Sequence, residues 1–151
     1  LDYLNKASNN EVIKKLPSYT SFIYLNKALI YFHEDNFRQA QKNMSRLILQ
    51  EDFLFLDKAF QLKVLIADVI IRFKNGHHYL IDKIEDIRKN HKQLLLDQQY
   101  VRDREMINII SKKITNEDIA DDKKRILSSM SDYNSEDLDI ISYNFWLKNN
   151  L

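Results

Sequence analysis

The chain has 151 residues, 44% of them hydrophobic and 30% charged, which suits one folded domain and lies far from a disordered segment. Its 23 basic and 22 acidic side chains leave a formal charge of +1. The basic excess that supplies most phosphate-backbone affinity is therefore missing, and nucleic acid is not expected as a partner. One glycine, one proline and no cysteine argue against tight-turned β folds and glycine-lined phosphate loops, and exclude disulfides and thiolate chemistry.

No apolar run approaches the ~18 residues of a membrane-spanning helix, and no basic-then-apolar leader opens the chain. Together with the lack of cysteine, this leads us to expect a cytoplasmic protein. The first residue is Leu1 rather than Met, as expected for part of a longer chain whose targeting segment is not in view.

Apolar residues recur at three- and four-residue spacings almost throughout, the mark of amphipathic helices. A first helix is predicted over about 2–16, with Leu4, Ala7, Ile13 and Leu16 on one face and a break at Pro17. A second, rich in Phe and Tyr, follows from Ser18 to His33. Glu34, Asp35 and Asn36 form a polar turn, and a third helix carries Phe37, Ala40, Met44, Leu47 and Ile48 on one stripe.

Phe53-Leu54-Phe55-Leu56 has two readings, a connector tucked over the core or an exposed patch for a partner. A long helix from Leu56 to Phe73 is apolar on most sides (Phe60, Leu62, Leu65, Ile66, Val69, Ile70), which predicts a central position. Gly76 is expected to end it in a left-handed cap. Leu80, Ile81, Ile84 and Ile87 mark the next helix, and Tyr100, Ile107, Ile110 and Ile114 a long one from about Leu94. Thr115-Asn116-Glu117-Asp118 has the form of a capping box, predicting a helix start that leads to Ile119, Ile126, Leu127 and Met130. After a turn at Ser131 to Asn134, Ser135 with Glu136 and Asp137 is expected to cap a last helix bearing Leu138, Ile141, Phe145 and Trp146. The total is about eight helices with short connections, hence antiparallel neighbours.

Tyr24, Ala28 and Tyr31, the turn Asp35-Asn36-Phe37, then Ala40 and Met44 follow one pattern. Two small residues let a pair of helices approach, and aromatics fill the space around the contact. Over Tyr24 to Ile48 this resembles a tetratricopeptide repeat (TPR), departing from it at Lys27, Leu47 and Asp52. Leu16-Pro17, Phe53 to Asp57 and the Trp146-Leu147 ending are similar to the C-terminal region of large uncharacterised bacterial TPR proteins. The resemblance implies an all-α fold of antiparallel hairpins at about 18–50, 56–92 and 94–130, flanked by helices at about 2–16 and 136–149. Stacked as a TPR-like α-solenoid, these pairs make a right-handed superhelix and a single domain over 1–151.

The resemblance also implies a ligand face made by the first helix of each pair: Phe22, Leu25, Leu29, Phe32 and His33, then Gln61, Val64, Asp68, Ile71 and Arg72. That face suits an amphipathic helix or peptide from a partner, another part of the same longer chain or a second copy. The other reading is that the N-terminal helix packs into this face and nothing binds there. Leu25 and Leu29 stand where some family members carry polar clamps for a peptide carboxylate.

The histidines His33, His77, His78 and His91 do not assemble into a zinc set by spacing, and no metal or cofactor is expected. Glu85, Asp86 and His91 lack any sign of a pocket that tunes acid–base chemistry, and no nucleophile or phosphate-loop motif is present. Lys123-Lys124-Arg125 beside Asp121-Asp122, and Arg102 and Arg104 alternating with Asp103 and Glu105, read as solvated faces with local ion pairs. The sequence thus predicts a non-enzymatic interaction or scaffold domain. The alternative is a regulatory domain linked to nucleic acid or nucleotide signalling.

Overall fold

The computed structural model describes residues 1–12, 14, 18–76, 79–128 and 139–151. Among them are nine α-helices and no strand: α1 (Asp2–Ser8), α2 (Tyr19–His33), α3 (Phe37–Ile48), α4 (Lys58–Lys74), α5 (Leu80–Asn90), α6 (Lys92–Leu96), α7 (Val101–Ile114), α8 (Ala120–Ser128) and α9 (Tyr143–Asn150). Short 3₁₀ segments, Glu51–Phe55 and Gln98–Tyr100, lead into α4 and α7.

Local chemistry sets most boundaries. Asp35 takes a left-handed φ of 55° and Asn36 accepts the Gln39 amide at 3.3 Å, so α2 stops and α3 starts within three residues. Asp57 caps α4 by accepting the Ala59 and Phe60 amides at 2.9 and 3.1 Å. Gly76, at φ 70°, follows α4 in the left-handed conformation that its missing Cβ makes inexpensive.

Four boundaries differ from the sequence expectation. The first helix ends at Ser8, where the Asn9 and Asn10 amides bond back to the Lys6 and Ala7 carbonyls; Ile13, Leu16 and Pro17 lie outside the described residues. The helix expected from Leu94 is split, because Asp97 is extended (ψ 141°) and its side chain accepts the Gln99 amide. This split accounts for nine helices rather than eight. Thr115 does not open a helix but closes α7, donating to the Ser111 and Lys112 carbonyls. Asn116 turns left-handed (φ 60°), and Asp118 supplies the acceptor for Ala120 at the start of α8. Finally, α9 begins at Tyr143 under a Ser142 cap, with residues 139–142 non-helical. The caps placed at Ser135 to Asp137, together with Met130, Leu138 and the turn at Ser131 to Asn134, lie outside the described residues.

The buried side chains form one continuous cluster from Leu25 to Leu147. Ala28 of α2 and Ala40 of α3 are both completely buried, and these two helices make the most extensive pair in the fold. The central element is α4, which packs on α3, α5 and α7 and buries Leu62, Val64, Ile66, Val69, Ile70 and Ile71.

Candidate functional site

The ten residues of the expected ligand face do not form one open surface. On α2, Phe22 is 54% exposed and His33 is exposed, but Leu25 is buried and Leu29 and Phe32 are half-buried against the core. On α4, Gln61, Val64, Asp68 and Ile71 are interior. Asp68 Oδ2 is held by Arg72 Nε at 2.9 Å and by Lys83 Nζ of α5 at 2.8 Å, while Arg72 also donates to Ser45 Oγ of α3 at 2.9 Å. Gln61 Nε2 donates to the Leu54 and Leu56 carbonyls at 3.2 and 2.7 Å, tying down the connector. These positions therefore face α3, α5 and the connector. The reason is rotational phase: at about 100° per residue, Gln61, Asp68 and Arg72 lie on the side of the helix away from Lys63, Ile70 and Lys74.

The C-terminal helix packs where α7 and the end of α4 come together. Tyr143 at the start of α9 donates to Asp103 Oδ1 of α7 at 2.8 Å, and Lys63 of α4 approaches Asp103 Oδ2 at 3.5 Å. Further along, Trp146 meets Phe73 edge-on, centroids 5.8 Å apart, and Lys74 donates to Asn150 Oδ1 at 2.7 Å. The helix α9 thus meets α7 at its start and the last turn of α4 further along. Arg102 closes the network, bonding Asp139 at 2.9 Å and lying over the Tyr143 ring. Arg102 and Asp103 are buried, not solvated as the alternating charges suggested, because Asp139 and Tyr143 come from far along the chain to cover them.

Burial raises the Asp103 carboxyl above its usual value, while Lys63 and the Tyr143 hydroxyl pull it back. The Tyr143 hydroxyl is raised well above the ordinary phenol value by burial and by the charge of Asp103. With a cation and a neutral donor on the carboxylate, this is a satisfied structural network. Where α9 meets the α2–α3 turn, a cleft of about 390 Å³ remains, walled by Phe32, His33, Phe37, Lys74, Phe145 and Trp146.

The connector divides the side chains of Phe53 to Leu56 between two sides. In a 3₁₀ turn, residues three apart eclipse. Phe53 is buried and Leu56 half-buried on one side, whereas Leu54 and Phe55 stand 68% and 87% exposed on the other. Phe22 contacts Phe60 in the first turn of α4, ring centroids 6.4 Å apart. Since Gln61 pins the connector to that same turn, the exposed apolar residues gather at one end of α2 and α4.

The other polar groups singled out in the sequence are paired or buried, and the buried His91 Nδ1 has no hydrogen-bond partner among the described residues. His91, between α5 and α6, is buried and its pKa is lowered by desolvation and then by Lys58; His77 and His78 lie outside the described residues. Glu85 pairs with Arg88. Asp122 of α8 is lowered by its bond from Lys112 of α7 at 2.6 Å and is also held by Arg125, which reaches Glu105 at 3.5 Å. Among the described residues no group of three or more His, Asp or Glu is placed to hold a metal ion, and no helix is long and apolar enough to cross a membrane. No family model, curated protein or solved structure matches the chain.

Proposed function

We propose that this is a non-enzymatic interaction domain, built of tetratricopeptide-like hairpins stacked in a right-handed sense, that docks a partner protein through the apolar end formed by Phe22, Leu54, Phe55 and Phe60. The observation that carries the reading is the pair Leu54 and Phe55. They are held outward by a connector whose other two side chains face inward and whose carbonyls are bonded to Gln61. A rigid base under large exposed apolar groups lowers the ordering cost of binding, and aromatic residues dominate interface energetics. The partner this surface suits is an amphipathic helix or extended peptide presenting aliphatic side chains.

The repeat-like part of the proposal is supported by the completely buried Ala28 and Ala40 between α2 and α3. Its ligand face is moved from the one the sequence suggested, because Gln61, Asp68 and Arg72 are taken up by the connector, α5 and α3. The test is affinity capture with the wild-type domain and with a Leu54→Ser/Phe55→Ser variant. Both side chains project into solvent, so unfolding stability should change by no more than about 0.5 kcal/mol per substitution. Loss of a specific partner with an unchanged melting curve supports the reading; equal recovery by both proteins removes it.

A further inference from the structure

We propose that a second site, in the cleft between the start of α2 and α3, binds a phosphate monoester carried on a small ring. The cleft has a volume of about 390 Å³, within the range of small-ligand sites and well above what a bare phosphate fills. Its wall combines Tyr19, Thr20, Tyr24 and Lys27 of α2 with Arg46 of α3 and Lys14 from the preceding segment.

Some cations of the fold are held by aspartates, and others, two of this cleft among them, are not. Lys63, Lys83, Arg72, Arg102 and Lys112 each have an aspartate partner. In the cleft, Glu11 engages Lys14 at 2.6 Å, but Lys27 and Arg46 have no carboxylate partner among the described residues. Two uncompensated cations match a dianion, and the planar fork of Arg46 suits two phosphoryl oxygens at once. The guanidinium lies 5.9 Å from the Tyr24 ring centre, which restrains it at the cleft.

Two further features add to this. The Tyr19 hydroxyl oxygen is enclosed and has no hydrogen-bond partner among the described residues. The 15-residue helix α2 starts at Tyr19, and its N-cap Ser18 makes no side-chain cap bond, so no cap side chain offsets the partial positive charge of its first turn. The Tyr24 ring and the neighbouring Ile23 supply the apolar wall against which the organic part of the ligand rests. This site does not depend on the protein-docking surface at Leu54 and Phe55.

The experiment is titration of the intact chain with inorganic phosphate, phenyl phosphate and benzoate, followed by calorimetry and amide NMR. Phenyl phosphate should bind about tenfold tighter than inorganic phosphate because the ring adds stacking. Benzoate, with one charge, should bind weakest. Lys27→Ala and Arg46→Ala should each weaken phenyl phosphate about tenfold or more, the value of a charge-assisted hydrogen bond. Lys42→Ala, an exposed cation of α3 outside this cleft, should leave it within about twofold. The variants' thermal unfolding reports that the fold is intact. No phosphate binding below about 10 mM, benzoate binding as tightly as phenyl phosphate, or a Lys27→Ala/Arg46→Ala protein that folds and binds as wild type would each overturn the proposal.

Discussion

Tyr143→Phe removes one hydroxyl and probes the contact by which α9 is fastened to the rest of the fold. The phenol oxygen donates to Asp103 Oδ1 at 2.8 Å, and among the described residues the other partner of that carboxylate is Lys63, at 3.5 Å from its second oxygen. Leaving a buried charged acceptor short of a donor costs about 1–3 kcal/mol. For a domain of this size, that lowers Tm by roughly 2–12 °C. Asp103 also fixes the pH dependence. Burial already raises its carboxyl above the ordinary value, and the Tyr143 hydroxyl is one of the groups lowering it.

A raised folded-state pKa favours the protonated carboxyl. That contribution to stability is full below the unfolded carboxylate value and is lost as pH rises through the folded one. Without the hydroxyl the folded value rises further, so more stability is lost on the way to neutral pH. The gap between wild type and Tyr143→Phe should therefore be widest near pH 7 and narrow towards pH 3. In an Asp103→Asn background the amide oxygen still accepts from Tyr143 but carries no charge. There Tyr143→Phe should cost about 1 kcal/mol, independent of pH. Urea unfolding of all four proteins across this pH range measures the coupling. A gap that is absent, or that widens in acid, would refute the account of Asp103 as a buried carboxylate held by this donor.

Three other outcomes follow from the packing. Trp146 is almost completely buried against Phe73, so Trp146→Ala should destabilise the domain by about 3–5 kcal/mol in denaturant unfolding. Ala40 has no room at the α2–α3 contact, and Ala40→Leu should cost about 1–3 kcal/mol through overpacking, read as a lowered urea midpoint. Asp122 is held below the usual carboxylate value, mainly by its bond from Lys112. Its contribution is present above the unfolded carboxylate pKa and lost as pH falls through the folded one, so Asp122→Asn should flatten the acid limb of the stability profile. Because Lys112 and Arg125 are partly exposed, added salt should shrink that difference.

The all-helical character, the hairpin at Asp35-Asn36, the cap at Gly76 and the central place of α4 were legible in the residues alone. Each depends on interactions within a few residues: a 3.6-residue apolar period, a polar turn, a backbone that only glycine enters cheaply. The split at Asp97 and the closing role of Thr115 were local too, but there two short-range patterns compete and periodicity does not rank them.

What the tertiary structure decided was orientation and coverage. A helix apolar nearly all round, as α4 is, leaves its rotational phase undefined, so Gln61, Asp68 and Arg72 were placed on a ligand face although they bond to the connector, α5 and α3. Arg102 and Asp103 carry the pattern of a solvated surface, yet Asp139 and Tyr143, 37 and 40 residues further along, cover and satisfy them. The fate of Phe53 to Leu56 hinged on a 3₁₀ turn fixed by Gln61. Burial is a property of what arrives from elsewhere in the chain, and no local pattern encodes that arrival.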